Sequence, residues 1–414
     1  MNPSPRLSRK INVEYAAIQG AFISSVSVFY GFATILLQSK NFTSSEIGLT
    51  MALGAAASIL LPSLVAGYSS RHPGIPLKYI ITVLILATIC STALTMVVSA
   101  PVGLAMMIFV VVIAISTTVM PLLNALAMQF ENIGITMNYG VARGIGSIGY
   151  AVFGYLAGLL AENIGTVALA PFYMLLLTVT ILLLLMFKRP DKVCAAQEID
   201  KTAETASVRG VRTLLKKPAC IPFFMAMVCI SLNHSALDTF QVSVIKDVGG
   251  SDADYGVLMF VMAISEIPTM FLFKYLARRF NYASLMSMGI LSFVAKDVVL
   301  MLVPSVPTVI GAQVLNMFTL GLYVPAAVYF GNSVAGQVEA VQAQALFGGM
   351  AMGIGRILGN IGSGIIIDLM GIKPMLIFSA ACVLVGFFMM QLAGSRQKRT
   401  GLSSCPAPER TTSE

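Results

Sequence analysis

The sequence predicts an all-α membrane protein with twelve transmembrane helices in two pseudo-symmetric bundles of six. Three observations support this fold class. The 414 residues are 57% hydrophobic and only 11% charged, whereas soluble domains carry about 25% charged residues. The apolar residues fall into runs long enough to cross a bilayer. A polar and charged segment, residues 189–217, divides these runs into two equal sets.

Each predicted span is an apolar run of about 20 residues or more, bounded by polar or turn-forming residues. The first six are Val13–Gln38, Ile47–Ser69, Lys78–Ser99, Pro101–Gln129, Asn138–Ala161 and Val167–Phe187. The last six are Pro218–Ile245, Tyr255–Leu276, Ala283–Val303, Pro307–Ser333, Val341–Leu369 and Pro374–Ala393.

Basic residues predict the orientation in the membrane. Lys and Arg cluster before the first span, in the segment between the bundles and after the last span, whereas the opposite loops hold only Lys40, Lys246 and Lys373. Cytoplasmic loops are enriched in Lys and Arg, so both termini are expected in the cytoplasm, with a bacterial inner membrane as the location. The net charge of +8 then reflects orientation and not nucleic-acid binding.

This orientation completes the predicted domain organisation. An N-terminal bundle occupies residues 1–188, a cytoplasmic linker 189–217, a C-terminal bundle 218–394 and a disordered cytoplasmic tail 395–414. The two bundles resemble each other at an offset of about 208 residues, because Gly48, Met51, Ala55 and Arg71 recur as Gly256, Met259, Ala263 and Arg279. Internal repeats of this kind are typical of transporters, whose solute site lies between the repeats.

Ionisable side chains inside the spans are the strongest functional signal. A charge at the bilayer centre costs about 2.5–3.5 kcal/mol, so it normally faces the bundle interior or a water-filled path. Three acids and three bases balance in charge, which indicates a protein that moves a polar solute. They are Arg143, Lys296, Arg356, Asp238, Glu266 and Asp297.

A glycine-rich segment surrounds the first of these charges. Six glycines lie in residues 137–158, and small residues let membrane helices pack closely. Arg143 and Tyr150 are two turns apart on the predicted helix and so lie on one face. A fork of guanidinium donors with an aromatic hydroxyl could hold a hydroxylated or anionic organic molecule. The alternative is that Arg143 lies near the cytoplasmic end and extends its charge to the interface.

Two further constellations lie in the second bundle. Glu266 is in mid-span, and Pro268 frees backbone carbonyl groups near it; it is predicted to bind solute or proton, with a structural ion pair as the alternative. His234 and Asp238 are four residues apart and share a helix face. The histidine could relay protons or be a hydrogen-bonded structural residue.

Adjacent opposite charges at Lys296 and Asp297 point about 100° apart on one helix, so each needs a partner on another helix. We expect Lys296 to pair with Asp238 or Glu266, and Asp297 to pair with Arg356. Arg356 could equally be a structural brace of its own helix.

The stretch from Arg143 to Tyr150 resembles the fifth span of lactose permease and its relatives, the oligosaccharide, nucleoside and phenylpropionate proton symporters of the major facilitator superfamily. The resemblance implies that Arg143 binds substrate and that Tyr150, in place of the family's Trp, stacks on it. The family's acidic partner one helix earlier is absent. Asn124 or Ala125 occupies that region, and Asn124 is the expected polar contact.

The resemblance also assigns roles in the second bundle. Glu266 matches the family's sugar-recognising acid, Asp238 an acid of an internal ion pair, and Lys296 lies near a basic residue of the ninth span. The array that handles protons on the family's tenth span is replaced by Gln313, Asn316 and Thr319. Gln313 and Asn316 are therefore predicted to line the cavity as neutral groups.

If protons are coupled to transport, the carboxyl group of Glu266, Asp238 or Asp297 must bind and release them. The predicted function is secondary active transport, by proton symport, of a sugar, a nucleoside or an aromatic acid. The alternatives are proton-driven efflux of amphipathic compounds, favoured by the 25 methionines, and a membrane receptor or scaffold. No enzymatic activity, cofactor or metal site is predicted, and the expected partners are the solute, protons and the lipid bilayer around a monomer.

Overall fold

A computed structural model describes residues 5–72, 74–97, 101–132, 134–187, 214–335 and 343–399, and these residues form helices and turns without β-strands. The long helices, labelled α1 to α12 in chain order, are Pro5–Gly31, Ser44–Arg71, Leu77–Val97, Val102–Asn132, Tyr139–Asn163, Leu169–Met186, Cys220–Asp247, Asp252–Arg279, Tyr282–Leu302, Asn316–Ala335, Met352–Met370 and Ile372–Arg399.

Ten helical segments of the described chain are long and apolar enough to cross a membrane. Two predicted spans, Val13–Gln38 and Tyr255–Leu276, fall in α1 and α8, which are outside this set. The all-α membrane fold is thus confirmed, while the count of twelve spans stays a prediction. Most helix limits lie within a few residues of the predicted spans, because the apolar runs decide them. The exceptions include the start of α1 at Pro5 and the end of α12 at Arg399.

The predicted linker and tail fall mostly outside the described residues. Residues 189–213 and 400–414 are not described, but residues 395–399 continue α12 and are not a disordered tail. Arg396 Nη1 donates to the carbonyl of Pro218 at 3.2 Å, and Gln397 Nε2 donates to Ser333 Oγ at 2.7 Å. These hydrogen bonds stabilise the last turn of α12, which lies beyond the apolar run.

The helices divide into two halves with the same contact pattern. In the first half α1 packs on α5 and α6, α4 packs on α2 and α3, and α3 packs on α6. Moving each label on by six gives the contacts of the second half: α7 with α11 and α12, α10 with α8 and α9, and α9 with α12. The halves meet mainly where α5 contacts α8 and where α2 contacts α11.

Glycine makes these close helix contacts possible. In α5, a Cβ added at Gly146 would meet Ile23 of α1 at 2.3 Å, and one at Gly158 would meet the Cα of Gly256 in α8 at 2.6 Å. In α11, a Cβ at Gly355 would meet the carbonyl of Val228 in α7 at 2.5 Å. The glycine-rich segment of α5 therefore joins α1 on one side and α8 on the other.

Irregular turns interrupt the first and the tenth span. A turn at Phe32 separates α1 from a short helix, Ala33–Gln38. In the tenth span a short helix, Val306–Gly311, and a 3₁₀ turn, Ala312–Leu315, precede α10. Non-α turns inside helices often mark functional positions, and both of these adjoin residues of the site described below.

Candidate functional site

Charged and tyrosine side chains from both halves converge at the interface between the bundles. The carboxylate of Glu266 in α8 lies within electrostatic range of Arg143 in α5, and also of Lys296 and Asp238. Tyr150 of α5 is in range of the same two carboxylates, Asp238 and Glu266. The structure therefore brings together the predicted residues of α5, α7, α8 and α9.

The second half adds a basic group from its own counterpart of α5. Arg356 of α11 is in electrostatic range of His234, and of Tyr30 in α1. Arg143 and Arg356 are both exposed. Each half thus contributes one arginine, on equivalent helices, to the same central region.

A small pocket lies on the second-half side of this region. His234 and Asp238 line it from α7, and Lys296 lines it from α9. Apolar side chains such as Met262 and Phe293 complete the wall. Apolar walls with a few convergent polar groups are typical of small-molecule sites.

The charged groups of the central region do not form ion pairs with one another. In the described part of the chain, the salt bridges of 4.0 Å or less join Lys10 to Glu14 and Lys246 to Asp252, away from this cluster. Arg143, Asp238, Glu266 and Arg356 consequently keep their hydrogen-bonding capacity for water or a solute.

Lys296 and Asp297 differ from the prediction in their partners. Lys296 Nζ donates to Gln313 Oε1 at 2.8 Å and to Asn316 Oδ1 at 3.1 Å. Asp297 Oδ2 accepts from Asn233 Nδ2 at 2.6 Å. The expected ion pairs of Lys296 with Asp238 or Glu266, and of Asp297 with Arg356, are not formed here. Amides of the tenth span and of α7 lie closer than the ionised groups.

The two amides of the tenth span accept hydrogen bonds from Lys296 and are buried, so they present little surface to the cavity. Gln313 is fully buried, and Asn316, which borders the cavity, is 3% exposed. Gln313 Nε2 donates to the carbonyl of Val309, so the 3₁₀ turn holds the amide beneath the ammonium. Thr319 Oγ1 donates to Asn316 Oδ1 at 3.1 Å. The amide oxygens stabilise the buried ammonium of Lys296 by accepting hydrogen bonds from it.

Asn124 belongs to a separate network inside the first half. Its Oδ1 accepts from Gln19 Nε2 at 3.0 Å, and the same Gln19 nitrogen donates to Tyr15 Oη at 2.8 Å. Tyr139 Oη donates to the Asn124 carbonyl at 2.7 Å. The predicted contact between Asn124 and the solute therefore stays a prediction, with no support from its side-chain partners.

Sequence reasoning missed three polar residues of the central region. Tyr30 and Tyr255 share the electrostatic environment of Asp238. Gln241 lines the cavity, is 4% exposed, and its Nε2 has no hydrogen-bond acceptor. Gln241 could have been predicted from the sequence, because it follows Asp238 by three residues and so lies on the same helix face.

One end of the interface is closed by hydrogen bonds between the halves. Asp368, near the end of α11, accepts from the backbone nitrogens of Ser44 and Ser45 at 2.9 and 2.7 Å. Glu162, at the end of α5, accepts from the backbone nitrogen of Asp252 at 3.1 Å. Both carboxylates face the N-terminus of a helix, α2 or α8, where the helix dipole favours negative charge.

These two contacts are counterparts, since α2 and α8 begin with matching capping boxes, Thr43 with Glu46 and Ser251 with Asp254. The other hydrogen bonds between the halves within the described residues lie at the same end. Thr34 donates to the Thr239 carbonyl, Gln38 to Ser243, and Tyr255 to the Gly31 carbonyl. At the opposite end, Arg143 is exposed and a Cβ at Gly144 would meet nothing within 4 Å.

Comparison with known proteins fits this arrangement of halves. The MFS_1 like family matches residues 21–380. The chain belongs to this family. It is a multi-pass membrane transporter of the MFS type, and the resemblance to the major facilitator superfamily is confirmed.

Individual relatives of this MFS chain are distant but match most of its length. It is 22% identical over 403 residues to the Uncharacterized transporter YwbF of Bacillus subtilis (strain 168), covering 91% of this chain and 93% of that protein. It is 23% identical over 383 residues to a Maltose permease of Geobacillus stearothermophilus, covering 92% and 93%.

A crystal structure of a mutant of the nucleoside transporter NupG shares the fold of this MFS chain. The TM-score is 0.81 at 13% sequence identity, and the match covers 92% of this chain and 99% of that one. At this identity the likeness concerns the arrangement of helices alone.

Proposed function

We propose that this MFS transporter carries a small polar organic solute, a sugar, a nucleoside or an aromatic acid, together with protons. The observation that carries the proposal is the convergence of Arg143, Tyr150, Asp238, Glu266 and Arg356 from opposite halves, without ion pairs among them. Such a set offers donors, acceptors and an aromatic face to one ligand. The relatives' names, maltose permease and nucleoside transporter, support this class of solute.

Transport would follow from rocking of the halves about this site. With the predicted orientation, the end closed by Asp368 and Glu162 is the outer end, and the cytoplasmic end is open. A solute held by residues of both halves has different contacts in the two conformations, and so it biases their equilibrium. The closing of the cytoplasmic end would bring Arg143 and Arg356 towards the solute.

Proton coupling is supported by carboxyl groups within the spans and not by the tenth span. Gln313, Asn316 and Thr319 do not titrate, and they hold Lys296 instead. Glu266 and Asp238 border the solute region, and Asp297 lies behind it. One of these carboxyls would take up a proton as solute binds.

A thermal-shift screen of the purified protein tests the solute class. Sugars, nucleosides and aromatic acids are added singly to the unmutated chain and to Arg143→Gln. We expect one class to raise the unfolding temperature of the unmutated protein and to lose this effect in the variant. A ligand that binds the folded state alone at 100 times its Kd adds about 2.7 kcal/mol of stability.

The matched control is Arg71→Gln, which removes an exposed arginine at the end of α2. This variant should respond to the solute like the unmutated protein. Stabilisation that survives in Arg143→Gln would contradict the proposed site. Stabilisation by amphipathic dyes, with no response to any polar solute, would favour efflux.

A further inference from the structure

The carboxyl group of Asp297 is fully buried outside the solute region. Asp297 and its partner Asn233 are both 0% exposed, and they join α9 to α7. Asn233 Nδ2 also donates to Ser379 Oγ of α12, and the Ser379 hydroxyl is within hydrogen-bonding reach of the Asp297 carboxyl group. The group lies at the contact of three helices of the second half, behind the cavity wall that the neighbouring His234 and Lys296 form.

This buried carboxyl group has no cation as a direct partner. Lys296, the adjacent residue, donates to Gln313 and Asn316. Bringing an unpaired carboxylate into such an environment costs several kcal/mol, and the group commonly becomes neutral instead.

Two oxygen atoms of this pair lack a donor. Asn233 donates one N–H to Asp297 Oδ2 at 2.6 Å, while Asp297 Oδ1 and Asn233 Oδ1 are both without a hydrogen-bond partner. A carboxylic acid and a primary amide can form a ring with two hydrogen bonds, N–H to C=O and O–H to C=O. The hydrogen bond from N–H to C=O of that ring is present. The bond from O–H to C=O is absent, and the two oxygen atoms that it would join are the two without a partner.

We propose that the Asp297–Asn233 pair is the proton-binding site of the transporter. A proton on Asp297 Oδ1 forms the O–H that donates to Asn233 Oδ1, and the release of that proton opens the ring and restores a buried charge. The proposal rests on the proposed transport function for its role in coupling. Binding of the proton itself stands on the pair's geometry alone.

Charged and titratable groups on the surrounding helices define the environment in which this proton would be held. Lys296 is the charge that acts on Asp297. The helices that hold the pair or pack against them also carry Cys229, His234 and Asp238 on α7, Tyr323 on α10, Arg356 on α11 and Cys382 on α12. The Lys296 ammonium attracts the carboxylate and opposes binding of the proton, whereas burial of the carboxyl group favours the neutral acid.

Infrared spectroscopy of the purified protein tests the protonation directly. A protonated carboxylic acid has a C=O stretching band that a carboxylate lacks. We expect a band that disappears in Asp297→Asn, that shifts to higher frequency in Asn233→Leu because the O–H loses its acceptor, and that persists in Ser379→Ala. A spectrum in which Asp297→Asn removes no such band would overturn the proposal.

Vesicles containing the protein test the coupling role. The amide of Asp297→Asn can form the same ring without a titrating proton. We expect this variant to lose accumulation driven by a pH gradient, while it keeps exchange of labelled solute at a near-normal rate. Accumulation that persists in the variant would refute coupling at this site, whatever the infrared result.

Two further outcomes separate this proposal from others. If the unmutated protein transports no solute of the tested classes, the proposed function fails while the infrared band still decides the proton site. If sodium chloride, but not choline chloride, stabilises the unmutated protein and this effect is lost in Asp297→Asn, the pair binds sodium and the proton proposal is wrong.

Discussion

Lys296 and Asp297 are neighbours in the chain, yet α9 directs them into two different polar environments. The lysine turns to the amides of Gln313 and Asn316, and the aspartate turns to Asn233. The helical angle between consecutive residues requires such a separation. Adjacent opposite charges in a membrane helix therefore need not compensate each other.

Removal of the amide that holds Lys296 should destabilise the protein. In Gln313→Leu the ammonium loses its acceptor at 2.8 Å, and an unsatisfied buried charged group costs about 1–3 kcal/mol or more. We expect a lower unfolding temperature in thermal denaturation. Gln391→Leu, at an exposed amide that bonds to Ser287, is the control. Equal unfolding temperatures for the two variants would show that the amide does not hold the charge.

The sequence predicts the charges of the site better than their partners. Six ionisable residues stand out in apolar runs, and five of them, with Tyr150, share the central region. The partners depend on the rotation of each helix about its axis, which an apolar run does not define. Asn233 carries no signal of its own, because a single amide in a membrane helix is unremarkable in sequence.

At the scale of helices, the contact of α2 with α11 depends on a backbone approach that only glycine allows. A Cβ at Gly364 would lie 2.4 Å from the carbonyl oxygen of Ser44. That oxygen belongs to the first turn of α2, whose nitrogens Asp368 binds, so it cannot move aside cheaply. One methyl group added at Gly364 would therefore push α2 and α11 apart at the closed end.

Gly364→Ala should shift the protein away from this closed conformation. Overpacking costs about 1–3 kcal/mol, which changes a two-state population about five- to thirtyfold or more. Spin labels at Leu49 and Leu369, exposed positions of α2 and α11, report the separation by pulsed electron resonance. We expect longer distances in this variant.

The matched control is Gly362→Ala in the same helix, where the nearest atom to a new Cβ is in Phe378 at 3.5 Å. Its distance distribution should equal that of the unmutated protein. A shift of the same size in both variants would mean that helix propensity, and not the contact with Ser44, controls the closed end.

Helix limits were predictable because apolar length and capping residues define them. Irregular segments were not, since the 3₁₀ turn of Ala312–Leu315 and the π-helical turns of Gln344–Ala351 are apolar like their surroundings. The extension of α12 to Arg399 was also missed. Its last turn is polar and is held by bonds to residues of other helices.

For the whole molecule, the repeat seen in sequence becomes a repeat of contacts. Gly48 and Gly256, at matching positions of α2 and α8, both lie against the other half. Asp368 and Glu162 bind the first residues of those same two helices. The two halves therefore close one end by equivalent means, which leaves the central charges between them.

The proposed transport site requires those charges to face a water-filled space shared by both halves. Cysteine replacement in a background without native cysteines tests this, with Glu266→Cys and Arg356→Cys in one set and Leu182→Cys, exposed on α6, as the lipid-facing control. The measurement is labelling by a membrane-impermeant thiol reagent in membrane vesicles of known orientation. We predict fast labelling of Glu266→Cys and Arg356→Cys from the side that bears the termini, and slow labelling of Leu182→Cys. Equally slow labelling at all three positions, from either side, would show that the charges do not face such a space.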